Sequence, residues 1–119
     1  MSTNRGKRIL VIEDEPVVAI ALQDMLESLG YEVVGPALRL AAAHTLAETE
    51  PLDAAILDVN MGDGDSYEVA RFLRSRGVPY IFATGYGRAG LEPGHEDVEV
   101  LQKPYHEGQI AHALEAVLG

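Results

Sequence analysis

"ILDVNMGDGDSYEVA" (residues 56–70) changes periodicity midway. With the preceding "DAA" its first part is an unbroken apolar run, "DAAILD" (53–58), which reads as a buried strand. Its last part opens "SYEVARFLRSRG" (66–77), where Val69, Phe72 and Leu73 recur at helical spacing and Gly77 follows as a stop. Between them lie Asp58, Asn60, Asp63, Asp65 and two glycines, Gly62 and Gly64. A strand that runs through a short acidic loop into a helix is half of a βαβ unit. It also puts an aspartate at the tip of an apolar strand.

The same alternation extends in both directions. "RILVIE" (8–13) is an apolar, β-branched strand, followed from Pro16 by a helix with Val18, Leu22, Met25, Leu26 and Leu29 on one face and Gly30 as its cap. "YEVVGP" (31–36) is a short strand, and "LRLAAAHTLAETE" (38–50) an Ala-rich helix that stops before Pro51. "PYIFAT" (79–84) and "VEVLQ" (98–102) are two further strands, and "HEGQIAHALEAVL" (106–118) a final helix with Ile110, Leu114, Val117 and Leu118 on one stripe. The segment 85–97, "GYGRAGLEPGHED", holds four glycines and a proline, so any helix there should be short or irregular. Strands alternating with helices predict an α/β fold with a parallel sheet covered on both faces.

Bulk properties narrow the function. The chain has 119 residues, enough for one core, and no cysteine, which excludes disulfides, a thiol nucleophile and a Cys-based zinc site. A net charge of -10 argues against direct binding to nucleic acid or to an anionic membrane, and favours cations and basic partners. Apolar runs such as "VVAIAL" are too short to span a bilayer, and "RGKRILVIEDEP" is not a signal peptide, so a cytoplasmic protein without membrane insertion is expected. Residues 1–6 read as a frayed, disordered tail and 7–119 as one domain.

In open parallel sheets ligands sit at the carboxyl ends of the strands. Strand one ends in Glu13 and Asp14, strand three in Asp58 with Asn60 next, strand four in Thr84, and strand five in Lys103 followed by Pro104. Each has an ordinary reading: an acid complementing a helix dipole, an N-cap, β-propensity, a solvated loop lysine. Four strand ends that supply acid, acid, hydroxyl and ammonium in an apolar sheet outweigh those readings. Clustered carboxylates repel unless a cation neutralises them, and a donor set of hard oxygens points to Mg²⁺. An aspartate so neutralised can attack phosphorus, with Lys103 and Thr84 offering charge and a hydrogen bond to the transferred oxygens.

"LVIEDEP" (10–16), "AILDVNM" (55–61), "FATG" (82–85) and "LQKPY" (101–105), in that order, resemble the receiver domain of two-component response regulators over residues 7–118. The resemblance implies a flavodoxin-like, doubly wound sheet of five parallel strands in order 2-1-3-4-5. It implies Asp58 as phosphoacceptor, Asp14 as a direct Mg²⁺ ligand with Glu13 acting through water, the Asn60 backbone carbonyl as a further ligand, Thr84 as the switch hydroxyl, Lys103 as the phosphate-pairing lysine, and a cis bond before Pro104. "FATGYG" (82–87) is similar to the FAT-GUY single-domain subgroup, with Gly85 and Tyr86 modulating the switch. That subgroup implies a histidine kinase of the HWE or HisKA2 type as donor.

The resemblance further implies a stand-alone receiver, not an enzyme with turnover. A histidine kinase or a phosphotransfer protein supplies the phosphoryl group. The kinase docks near Pro16–Leu22, and slow self-dephosphorylation ends the signal. No output domain comes after Gly119 in this sequence, so output is expected through a protein partner on 85–97 and the last helix, or as a phosphate sink, with dimerisation through the same side of the fold as an option. The family usually has proline at the position of Gly62, glycine at that of Ser66, and an aromatic at that of Val100. The acceptor loop should therefore be looser, and the switch should use Tyr86 or the ordering of 85–97. Two alternatives remain: a receiver-like interaction module that takes no phosphate, and a haloacid-dehalogenase-like phosphohydrolase, against which Asn60 stands where a second Asp is expected. His44, His95, His106 and His112 lack metal spacing, "GDGD" (62–65) lacks the register of a calcium loop, and "GYGRAG" comes after the wrong strand for a dinucleotide fingerprint.

Overall fold

The computed structural model describes residues 5–119. Strands β1 (Arg8–Ile12), β2 (Glu32–Ala37), β3 (Ala54–Asp58), β4 (Tyr80–Thr84) and β5 (Glu99–Gln102) form one parallel sheet in the order β2-β1-β3-β4-β5. Helices α1 (Pro16–Ser28), α2 (Leu40–Thr49), α3 (Tyr67–Ser75) and α4 (Glu107–Leu118) cover it. This is the flavodoxin-like architecture that the alternating periodicities and the resemblance imply. Of the expected tail, residues 1–4 lie outside the described residues, and the Gly6 N–H donates to Gly30 O at 2.7 Å.

Successive strand residues point to opposite faces, so a strand covered on both sides reads as a continuous apolar run. Ile9, Val11, Ile56, Ile81 and Leu101 face α1 and α4, where Leu22, Leu26, Ile110 and Leu114 close one core. Leu10, Ile12, Leu57, Tyr80 and Phe82 face α2 and α3, where Ala43, Ala47, Val69 and Leu73 close the other. Alanines on α2 let that helix lie close to the sheet. Truncating a fully buried leucine such as Leu22 would cost about 2–5 kcal/mol.

Helix ends obey local chemistry. Pro16 opens α1, and Gly30, at φ +93°, turns the chain after it. His106, exposed at the surface, caps α4: its Nδ1 accepts from Gln109 N, and its own N–H donates to Gln109 Oε1 at 2.9 Å. The bonds Gly35–Pro36 and Lys103–Pro104 are both cis, the second as the resemblance implies.

Two connections set the site apart. Residues 60–61 and 64–65 pair as a minute antiparallel hairpin directly after β3, an element that no periodicity in the sequence announces. The connection from β4 to β5 has no α-helix, only a single 3₁₀ turn at Arg88–Gly90. Pro93, with Gly87 and Gly94 at positive φ, forbids a longer one.

Candidate functional site: an acidic cleft at the strand ends

The carboxyl ends of β1 and β3 lie side by side, with Ile12 level with Leu57. Just past these ends, Glu13, Asp14 and Asp58 bring carboxylate oxygens within 4.8 Å of one another. Glu13 is 1% exposed and Asp58 7%, whereas Asp14 is half-buried at the mouth. Glu13 Oε2 accepts from Glu15 N at 3.1 Å, which fixes the first acid against the start of α1.

Lys103 reaches the cluster from the end of β5. Its Nζ is 2.7 Å from Glu13 Oε1 and 3.3 Å from Asp58 Oδ2. The backbone aims it: Lys103 N–H donates to Thr84 O at 2.9 Å, extending the β4–β5 ladder past the last paired residues. Thr84 is buried, and its Oγ1 accepts from Tyr86 N at 3.1 Å. The hydroxyl is thus engaged with the segment after it. Tyr86 itself is 77% exposed, and Gly85 is exposed beside it. Asn60 lies at the surface as the first residue of the hairpin, and Pro104 is exposed behind Lys103.

Charge crowding governs protonation here. Burial, then repulsion and a shared hydrogen bond from Glu13, push the Asp58 carboxyl from 3.8 to about 7, with Lys103 opposing. Burial alone would depress Lys103, but its bond to Glu13 and the charges of Asp58 and Glu13 hold it above the ordinary lysine value. Three carboxylates with one ammonium leave an excess of negative charge at a cleft floored by apolar strands. Their oxygens are hard donors, with no nitrogen or sulfur among them, and this donor set fits Mg²⁺.

Tyr105 stands near enough to the site to feel its charges, although nothing in the sequence alone marks it as a site residue. Its hydroxyl is buried, and burial together with the charge of Glu13 raises it to about 12. It stands two residues after Lys103 and packs on the core beside α4. The one signal is its place in "LQKPY", two residues after Lys103. The acceptor loop is also better anchored than its glycines suggest. Asp63 Oδ2 accepts from Leu40 N at 3.2 Å, capping α2, and Asp65 Oδ1 accepts from Tyr67 N at 3.1 Å, capping α3.

Comparison with known proteins agrees with this geometry. The sequence model of the response regulator receiver domain matches residues 9–115, and the chain belongs to that family. It is 41% identical to SdrG from Sphingomonas melonis Fr1 across the whole of both chains, with a TM-score of 0.85. A second solution structure shows SdrG in its BeF₃-activated conformation (40% identity, TM-score 0.82, 98% of this chain and 100% of that one). The receiver domain of a sensor histidine kinase from Pseudomonas aeruginosa PAO1, solved with a magnesium ion coordinated in its active-site cleft, is 28% identical over 96% of this chain and 98% of that one, with a TM-score of 0.80. The phyllosphere-induced regulator PhyR of Methylorubrum extorquens is 29% identical over 99% of this chain but 46% of its own length. The chain spans about half the length of PhyR and of PdtaR from Mycobacterium tuberculosis, two of the curated relatives it matches. Among the described residues no helix is long and apolar enough to cross a membrane.

Proposed function

We propose that this receiver accepts a phosphoryl group on Asp58 from a phosphohistidine, supplied by a histidine kinase of the HWE or HisKA2 type or by a phosphotransfer protein. The phosphorylated form passes the signal to a protein partner or drains phosphate from a shared kinase. The observation that carries this reading is the convergence of Glu13, Asp14 and Asp58 within 4.8 Å, with Lys103 Nζ at hydrogen-bonding distance from two of them.

An Asp58 oxygen attacks phosphorus, the bond from phosphorus to the imidazole nitrogen breaks, and the imidazole leaves with the bonding pair and takes up a proton. Attack needs Asp58 ionised. Mg²⁺ held by Asp14, Asp58 and the Asn60 carbonyl, with Glu13 acting through water, would supply the counter-charge that keeps these acids ionised and neutralises the transferring group. Lys103 pairs with a phosphoryl oxygen from the position it already holds. The Thr84 hydroxyl, whose oxygen accepts from the Tyr86 amide, donates its proton to another phosphoryl oxygen, which ties the acceptor to the 85–97 segment. Loss of the phosphoryl group is slow hydrolysis at the same site.

The test is intact mass after incubation with a phosphorylated HWE-type kinase and Mg²⁺, beside Asp58→Ala and a chelated sample. One added phosphoryl group, absent from both controls, is expected. Transfer that persists in Asp58→Ala would overturn the assignment. No transfer from several such kinases, together with no binding of Mg²⁺, would favour a receiver that signals without phosphate.

A further inference from the structure

Arg39 stands where the fold gives it no reason to be. It is the N-cap of α2, a position that favours Ser, Thr, Asp or Asn, and its positive charge opposes the helix dipole there. It supplies no cap; Asp63 of the acceptor loop does so, accepting from Leu40 N at 3.2 Å. The Arg39 side chain is exposed and, among the described residues, makes no hydrogen bond or ion pair. By contrast, Arg8, Arg71, Arg74, Arg76, Arg88 and Lys103 each hold a carboxylate or a backbone carbonyl. Arg5 and Lys7 precede β1 and lie at the end of the sheet away from the acids. The backbone fixes the root of Arg39 beside the cleft from both sides. Ala37 O, two residues before it, accepts from Glu13 N at 3.0 Å. Leu40, directly after it, is tied to Asp63 and packs so close to the acceptor loop that a Cβ on Gly64 would stand 3.0 Å from Leu40 Cδ1. Asp14, Pro16, Leu38, Arg39, Gly62 and Asp63 line a hollow of about 430 Å³ at this mouth. Asp63 is engaged with Leu40 and Asp14 with the acidic cluster, which leaves Arg39 as the hollow's free charge. Leu38 is 43% exposed on its rim, and Val17, after Pro16, is 80% exposed. Bare apolar side chains around a charge suit a protein surface better than a small ion.

We propose that Arg39 is a specificity-determining residue for the phosphoryl donor: its guanidinium pairs with a carboxylate that the donor protein presents beside its phosphohistidine. The inference rests on Asp58 as phosphoacceptor. Lys103 and Mg²⁺ serve the phosphoryl group itself, and Arg39, at the start of α2, is left for a second anion of the donor. A planar guanidinium takes a carboxylate through two parallel N–H bonds, so it sets the angle of approach as well as the charge. Without it, an acid on the donor meets only the repulsion of Glu13, Asp14 and Asp58; with it, that repulsion is offset at one defined point of the rim.

The test compares two donors on the wild-type chain, Arg39→Ala, Arg39→Glu and Arg39→Lys. One is a phosphorylated kinase that loads the wild type in the mass assay; the other is phosphoramidate, which has the phosphorus–nitrogen bond but no carboxylate. The ratio of kcat/KM with the kinase to the rate constant with phosphoramidate should fall about tenfold or more in Arg39→Glu, and by less in Arg39→Ala. Arg39→Lys should recover part of the loss, and the wild-type advantage should shrink as salt is raised. An unchanged ratio in Arg39→Glu would overturn the inference. So would an equal loss with both donors, which would put the effect of Arg39 on the acidic cleft itself. In both cases Asp58 remains the acceptor. Loading by phosphoramidate but by no phosphorylated protein would keep the acceptor and overturn the protein donor, and Arg39 with it. Wild type loaded by neither donor would sink the phosphoacceptor reading and this inference together.

Discussion

Lys103 Nζ sits 2.7 Å from Glu13 Oε1, closer than its 3.3 Å to Asp58 Oδ2. The cation thus rests on a neighbour of the acceptor, and Asp58 keeps a raised proton affinity, first from its burial and then from Glu13. Glu13 raises that affinity both by its charge and by sharing a hydrogen bond with the protonated form, whereas Lys103 acts in the opposite sense.

Glu13→Gln should therefore lower the Asp58 titration midpoint from about 7, and Lys103→Met should raise it. Carboxyl-carbon NMR titration without metal reads both. A midpoint that moves the same way in the two variants would contradict the assigned charge balance.

The same shift makes metal-free stability depend on pH. Asp58 holds its proton more tightly folded, at about 7, than at the ordinary value of 3.8, so the folded state binds more protons between those limits. Its contribution is complete below about pH 4, falls as pH rises through 7, and is lost above. Lys103, raised, contributes stability that is lost only as pH rises beyond the ordinary lysine range. Asp58→Asn should stabilise the chelated protein at pH 8 by roughly 1–3 kcal/mol and flatten the slope between pH 5 and 8. Urea midpoints at several pH values check this; an unchanged slope in the variant would count against it.

Mg²⁺ should remove the same penalty. At a hundredfold excess over its Kd it should add about 2.7 kcal/mol to the unfolding free energy, raising Tm and flattening the slope between pH 5 and 8. Asp14→Asn, half-buried at the cleft mouth, should weaken that gain with little change in Tm under chelation. Equal Mg²⁺ stabilisation in Asp14→Asn would place the ion elsewhere.

The sheet was legible because each strand is covered twice and so writes itself as an apolar run; Ile9 to Ile12 and Ala54 to Leu57 leave no polar residue to confuse the period. The acids were legible only as a set: each has an ordinary reading at a helix start, but four strand ends that together supply acid, acid, hydroxyl and ammonium do not. The hairpin at 60–65 was not, since two-residue strands carry no period. His95 was not either: its partners Tyr67 and Phe82 are distant in sequence, and only the folded chain shows that a histidine in a Gly-rich segment fills an aromatic slot. The expectation of a loose acceptor loop also missed the caps that Asp63 and Asp65 place on α2 and α3, which tie it at both ends.

Gly62 shows how finely that loop is fitted to the cleft. A Cβ built there would stand 3.2 Å from Asp14 Oδ2, a tight contact with the far end of a side chain that can swing. Gly62→Ala should therefore cost little stability, within about 0.5 kcal/mol, because the residue is exposed and makes no core contact. Its effect should fall on the cation: the Asp14 carboxylate must shift by a few tenths of an ångström, and Mg²⁺ demands near-ideal geometry. A several-fold loss of Mg²⁺ affinity by calorimetry, with Tm under chelation unchanged, is the expected pair of results. Unaltered affinity would mean that Asp14 is not held where it must stand to bind the ion.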